Sequence, residues 1–70
     1  MRLREINGYT KRFKEISLVT STSIRRARLT TFMDDMRQAY ELPFFHIEDH
    51  PDRNAVALYR QAEIMLEETN

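Results

Sequence analysis

The sequence predicts a small all-α domain, either a helical hairpin or a three-helix arrangement. Two amphipathic segments carry this prediction, each with an apolar stripe at helical spacing, and a nine-residue segment bounded by two prolines connects them. A third helix at the N-terminus is favoured, with a short strand or hairpin arm as the alternative. Because 70 residues supply only one core, we expect residues 1–70 to form a single domain.

The central segment, Thr20–Leu42, carries both a start signal and a stop signal for a helix. Thr20 is the expected N-cap, with Val19 and Ile24 as the two positions of a hydrophobic staple, and Thr22 is a second cap candidate. Pro43 has no backbone N–H and clashes with the preceding turn, so the helix is expected to end just before it.

One face of this central helix is apolar along its C-terminal part and basic before Leu29. At 100° per residue, Arg25 and Arg26 lie about 40° and 60° to either side of Leu29, so the apolar stripe continues into guanidinium groups. The stripe itself consists of Leu29, Phe32, Met33, Met36 and Tyr40, with Ala39 at its edge.

The first segment, Met1–Val19, is compatible with two structures. As a helix it places four apolar side chains on one face, namely Ile6, Tyr9, Phe13 and Ile16. As a hairpin it would use Asn7-Gly8 as its two-residue turn, but this register sets Arg4 opposite Lys11 on the same face. The repulsion between these like charges favours the helix.

The connection from Pro43 to Pro51 is too apolar for a free loop. Phe44, Phe45 and Ile47 are expected to dock on the central helix and close one end of the core. The connection also holds possible metal ligands, namely His46, Glu48, Asp49, His50 and Asp52. Their spacing matches no metal motif, and Asp and His before a helix are common, so loop and cap roles are favoured and no metal is predicted.

The last helix is expected to run from Pro51 or Asp52 to Glu68, with Asp49 or Asp52 as the cap and Pro51 in its first turn. Val56 and Ile64 fall off its apolar stripe. The stripe consists of Ala55, Leu58, Tyr59, Ala62, Met65 and Leu66.

The net charge of zero results from two halves of opposite sign. Residues 1–28 hold eight basic and two acidic side chains, whereas residues 29–70 hold three basic and nine acidic ones. The simplest interpretation is that the halves neutralise each other within the fold or across a dimer. The alternative is that the basic half binds nucleic acid or an acidic protein.

Composition argues against an enzyme. A single glycine excludes a Gly-rich phosphate loop, the lack of cysteine excludes a thiol nucleophile, and both histidines lie in one short connection. We therefore expect a non-enzymatic protein without cofactors. The lack of cysteine, of a long apolar run and of a signal peptide after Met1 further predicts a soluble, cytoplasmic protein that does not enter a membrane.

Two binding functions follow from the charge pattern. The favoured one is a small regulatory or adaptor protein that binds another protein through a helical face, where Met33, Met36 and Met65 offer adaptable contacts, and through a basic turn. The alternative is a dimeric DNA-binding transcriptional regulator. In both cases the expected contact residues are Arg25, Arg26 and Arg28, together with Arg12 and Lys14. The small core also predicts a homodimer that buries part of the stripes on the central and last helices.

Overall fold

Three α-helices form the fold, which we describe from a computed structural model. The structure describes residues 6–69, and within this range it contains no strand. Helix α1 spans Ile6–Ser17, α2 spans Thr22–Tyr40 and α3 spans Arg53–Glu68, with a short 3₁₀ turn over Ile47–Asp49. The prediction of an all-α chain is confirmed, in its three-helix form.

Helix α1 includes the Asn7-Gly8 pair in its first turn, so the hairpin alternative is wrong for the described residues. The Thr10 hydroxyl donates to the carbonyl of Ile6 at 2.9 Å, as a helical threonine often does. Ile16 is buried at the end of the helix. Residues 1–5, including Arg4 of the hairpin register, lie outside the described part of the chain.

Helix α2 begins one residue later than the predicted cap implies, because its cap is Ser21 rather than Thr20 or Thr22. The Ser21 hydroxyl accepts the N–H of Ile24 at 3.4 Å. The predicted staple is also wrong, because Ile24 is 48% exposed. Residues 20–23 are all Ser or Thr and can all cap a helix, and they directly follow the turn that closes α1, where the N–H of Val19 bonds the carbonyl of Ile16.

The C-terminus of α2 is closed by a left-handed residue rather than by Pro43 alone. Glu41 has a φ of 56° and the N–H of Leu42 bonds the carbonyl of Arg37, so the helix ends at Tyr40. A residue in this conformation satisfies carbonyls that the helix leaves unpaired. The predicted end is therefore within two residues of the observed one.

The helices pack antiparallel in sequence order, so α1 and α3 run the same way. The rings of Tyr9 and Tyr40 lie 5.6 Å apart and those of Phe13 and Phe32 5.8 Å apart, which fixes α1 against α2. Phe32, the largest fully buried side chain, lies at the centre. Residues of the predicted stripes form most of this core, to which Leu42, Ile47 and Val56 are added from outside the stripes. The core contains Ile16, Leu29, Phe32, Met36, Leu42, Ile47, Ala55, Val56, Leu58 and Ala62.

Helix α3 buries a wider face than its stripe predicts. Val56 is only 9% exposed although it falls off the stripe, because the 3₁₀ turn packs on α3 and covers a second side of it. Asp52 caps the helix as predicted, with its Oδ1 accepting the N–H of Ala55 at 3.0 Å. Pro51 precedes the cap instead of lying in the first turn, and Asp49 belongs to the 3₁₀ turn.

The connection between α2 and α3 docks differently from the prediction. Leu42 and Ile47 are buried, but Phe44 and Phe45 are 76% and 81% exposed, so the expected docking of both phenylalanines is wrong. Leu42 and Ile47 already fill the end of the core, and His46 adopts a left-handed conformation, with a φ of 58°, that reverses the chain between them. The two aromatic rings are left pointing away from the core.

Candidate interaction surfaces

One end of the molecule gathers most of the predicted contact residues. Helix α1 ends there, α2 begins there and α3 ends there, because neighbouring helices are antiparallel. We call the cations at this end the basic edge: Lys14, Arg25, Arg26 and Arg28. The structure therefore brings four of the five predicted contact residues to one end, where two of them bond to backbone carbonyls and two are exposed without an ion pair within residues 6–69.

Arg25 is half-buried and closes the turn between α1 and α2. Its Nη1 donates to the carbonyl of Val19 at 3.1 Å, and its Nε is buried without a hydrogen-bond partner. The guanidinium therefore holds the Leu18–Val19 backbone beside the first turns of α2. This role leaves only part of Arg25 accessible to a partner.

Arg26 joins the start of α2 to the end of α3. Its Nη1 donates to the carbonyl of Thr69, the C-cap of α3, at 3.3 Å. The last turn of α3 contains no basic residue of its own, although the negative end of the helix dipole favours a cation. Arg26 supplies that cation from another helix, which agrees with charge balance between the two halves of the sequence.

Arg12, the fifth predicted contact residue, lies between α1 and α2. Its Nη2 is 2.8 Å from Oδ2 of Asp35, and its guanidinium lies 5.4 Å from the centre of the Phe32 ring. Both partners in this ion pair are partly exposed, so its expected contribution to stability is about 0.2–1 kcal/mol. Arg12 therefore positions α1 on α2 and is turned away from the basic edge.

Lys14 and Arg28 are exposed cations, and within residues 6–69 neither forms an ion pair. Two exposed apolar side chains accompany them: Leu18, 79% exposed in the α1–α2 connection, and Ile24, 48% exposed in the first turn of α2. The basic edge therefore combines accessible positive charge with accessible aliphatic surface.

Sequence reasoning missed Leu18 and Ile24, although a signal for Ile24 was present. Ile24 lies about 140° from Leu29 around the helix, which places it away from the core face. The prediction that Met36 contacts a partner is wrong, because Met36 is fully buried in the core. Met33 and Met65 are half-buried against the same core.

A second exposed apolar feature lies at the opposite end, in the connection from α2 to α3. We call Phe44 and Phe45 the aromatic tip. The Arg37 guanidinium lies 4.2 Å from the centre of the Phe44 ring, a cation–π contact that orients this ring. Exposed carboxylates flank the tip, namely Glu41, Glu48 and Asp49, of which Glu48 pairs with Arg60.

The predicted loop and cap roles of the histidine-containing connection agree with its geometry. His50 accepts the N–H of Asp52 through Nδ1 at 3.1 Å, just before the α3 cap. Within residues 6–69, no three histidine or carboxylate side chains lie close enough together to hold a metal ion.

Two surface grooves contain no pair of free carboxylates for acid–base chemistry. The groove of about 370 Å³ is lined by Tyr9, Asp35, Gln38 and Ala39, and its carboxylate pairs with Arg12. The second, about 310 Å³, lies between α2 and α3, and its only carboxylate, Asp34, pairs with Arg37 at 2.8 Å. In each groove the carboxylate is therefore neutralised by an arginine.

The chain matches no protein-family model, and neither the curated proteins nor the solved structures provide a significant match to it. Among the helices of residues 6–69, none combines the length and the apolar composition needed to cross a membrane.

Proposed function

We propose that this chain is a small non-enzymatic interaction protein that uses its basic edge to bind an acidic, partly apolar surface of another protein. The observation that carries this proposal is the exposure of Leu18 and Ile24 beside Arg28. Aliphatic side chains at the centre of an interface supply buried area, and the surrounding cations supply orientation and the rate of encounter.

The internal contacts of two arginines favour a protein over nucleic acid as the partner. Arg12 pairs with Asp35, and Arg26 donates to the end of α3, so fewer cations face outward than the sequence suggests. The basic edge also exposes the aliphatic side chains of Leu18 and Ile24, for which a phosphate backbone offers no apolar contact. A protein surface that offers both carboxylates and apolar groups fits this mixture better.

Two matched variants test the proposal. Arg28→Glu reverses a charge of the basic edge, and Arg53→Glu reverses an exposed charge at the other end of the molecule, where Arg53 Nη1 donates to the carbonyl of Glu48 at 2.9 Å. Arg53 is the first residue of α3, where the helix dipole favours a negative charge, and Arg28 is exposed and forms no ion pair within residues 6–69, so both variants are expected to fold. Circular dichroism verifies the helical content of each variant. Each immobilised variant, and the unchanged chain, is incubated with lysate of the native host, with and without nuclease treatment.

We expect the unchanged chain and Arg53→Glu to capture the same protein, and Arg28→Glu to capture it at least about tenfold less, as for an interface hot spot. Capture that is equal for all three chains would contradict the proposal. Capture that disappears after nuclease treatment, with tight binding to duplex DNA that falls steeply with salt, would replace it with the DNA-binding alternative.

A further inference from the structure

We infer that the aromatic tip of one copy binds the basic edge of a second copy, so that the chain associates head to tail. The inference rests on the proposed function in taking the basic edge as a binding surface, and it names one occupant for that surface. Two exposed phenylalanines next to each other are the largest apolar feature that the described residues leave uncovered.

The aromatic tip is anchored at both ends of its segment, and one of its two rings has a further contact. Leu42 and Ile47, on either side of it, are 4% and 5% exposed and anchor the segment in the core. Within the segment, the stacking of Arg37 holds the Phe44 ring. A pre-organised aromatic side chain loses little conformational entropy on binding, which is why aromatic residues dominate interface energetics.

Opposite charge indicates that the basic edge is the surface that binds the aromatic tip. Residues 41–52 contain four carboxylates and no lysine or arginine. Three arginines of α2 and α3 contact this segment, namely Arg37, Arg53 and Arg60, and two of them also pair with acids of their own helices, Asp34 and Glu63. These groups together with the segment therefore carry a net negative charge. A two-fold dimer through the tip would place Glu41 and Asp49 against their own copies, and like charges at close range oppose binding. The basic edge provides the opposite charge, from Lys14 and Arg28, around apolar side chains that can contact the rings.

The predicted homodimer through the helical stripes could use only their half-buried members, because the other members are covered within one chain. The half-buried ones are Met33, Tyr40, Tyr59, Met65 and Leu66. Leu29, Phe32 and Met36 have no exposed surface, and Leu58 has 6%. The two rings of the tip supply on the order of 300 Å². Since stable complexes bury at least about 1,200 Å², we expect weak association that is detectable at high micromolar concentration.

A head-to-tail contact uses two different surfaces, so variants that each lack one of them should complement each other. The tip variant is Phe44→Ser/Phe45→Ser, and the edge variant is Leu18→Ser/Arg28→Glu. All four side chains are exposed, and circular dichroism of each variant verifies its helical content. Sedimentation velocity is measured for the unchanged chain, for each variant and for their equimolar mixture, from micromolar to near-millimolar concentration.

We expect the unchanged chain to form species larger than a dimer as concentration rises, and each variant alone to associate at least about tenfold more weakly. The mixture should form a one-to-one dimer that grows no further, and this dimer should dissociate at high salt. A chain that stays monomeric throughout, or variants that associate like the unchanged chain, would overturn the inference. In either case a host protein could still be captured in a way that depends on Arg28. Failure of the self-association inference can therefore be distinguished from failure of the proposed function.

Discussion

Arg26 donates from Nη1 to the carbonyl oxygen of Thr69 at 3.3 Å, across 43 residues of sequence. The bond joins two helix ends whose own charges oppose their dipoles: α2 begins with arginines and no acid in its first turn, and α3 ends with glutamates and no base in its last turn. Arg26 supplies the positive charge that the end of α3 lacks. The segregation of charge along the sequence is therefore partly explained by the antiparallel packing of α2 on α3.

Arg26→Ala should lower the free energy of unfolding by about 1 kcal/mol, because the end of α3 loses its charged donor. Arg28→Ala is the matched control, since Arg28 forms no ion pair within residues 6–69 and its removal should change stability by less than about 0.5 kcal/mol. Urea unfolding followed by circular dichroism measures both. Equal losses would show that the Arg26 bond contributes nothing to holding α3.

Phe32→Ala and Phe45→Ala compare the same substitution at a buried and an exposed site. Phe32 has no exposed surface and contacts the rings of Tyr9 and Phe13, so its truncation should cost about 3–5 kcal/mol, comparable with the whole stability of a domain this small. Phe45 is 81% exposed, and its truncation should leave the melting temperature nearly unchanged. Thermal melts of both variants check this. A large loss at Phe45 would mean that the ring is docked after all.

Gly8→Ala should stabilise the chain by about 0.5–1 kcal/mol, since alanine is the better helix former. A Cβ at this position meets no atom within 4 Å, so the new methyl group fits without rearrangement. The sign of the change is informative, because a hairpin turn at Asn7-Gly8 would need a positive φ and alanine would destabilise it. A lower urea midpoint for this variant would therefore indicate a hairpin turn at Asn7-Gly8 and contradict the helical structure of α1.

Three cap substitutions rank the helix starts. Asp52→Ala should cost about 1 kcal/mol, because its Oδ1 accepts the N–H of Ala55 at 3.0 Å. Ser21→Ala should cost less, since its hydrogen bond to Ile24 is longer at 3.4 Å, and Thr20→Ala should have no measurable effect. Denaturant midpoints give the order. A larger loss at Thr20 than at Ser21 would restore the predicted cap.

Much of the fold follows from local sequence. Spacing at three and four residues identifies the buried faces of all three helices, and Asp52 marks the start of α3, because these signals act within one or two turns. The cap of α2 and the position of Phe44 were missed for a common reason. Both depend on which neighbouring groups fill the available space after the helices pack, and periodicity contains no information about that competition.

The sequence predicts most of the cations of the candidate surface, but not how they are arranged. The sequence grouped Arg12 with the other cations, yet Asp35, which pairs with it, lies 23 positions away and comes near only when α1 folds back on α2. The exposed Leu18 depends in the same way on how the α1–α2 turn closes. Contacts between helices decide which cations form ion pairs or hydrogen bonds within the chain and which face solvent.

Site-specific photocrosslinking in the native host tests the central claim most directly. A photoreactive residue replaces Leu18 at the basic edge or, as a control, Ala57, which is exposed on α3. We expect a crosslink to another protein from position 18, none to the same protein from position 57, and loss of the first crosslink when Arg28→Glu is added. Equal crosslinking from both positions, or a crosslink from position 18 that Arg28→Glu leaves intact, would contradict the account.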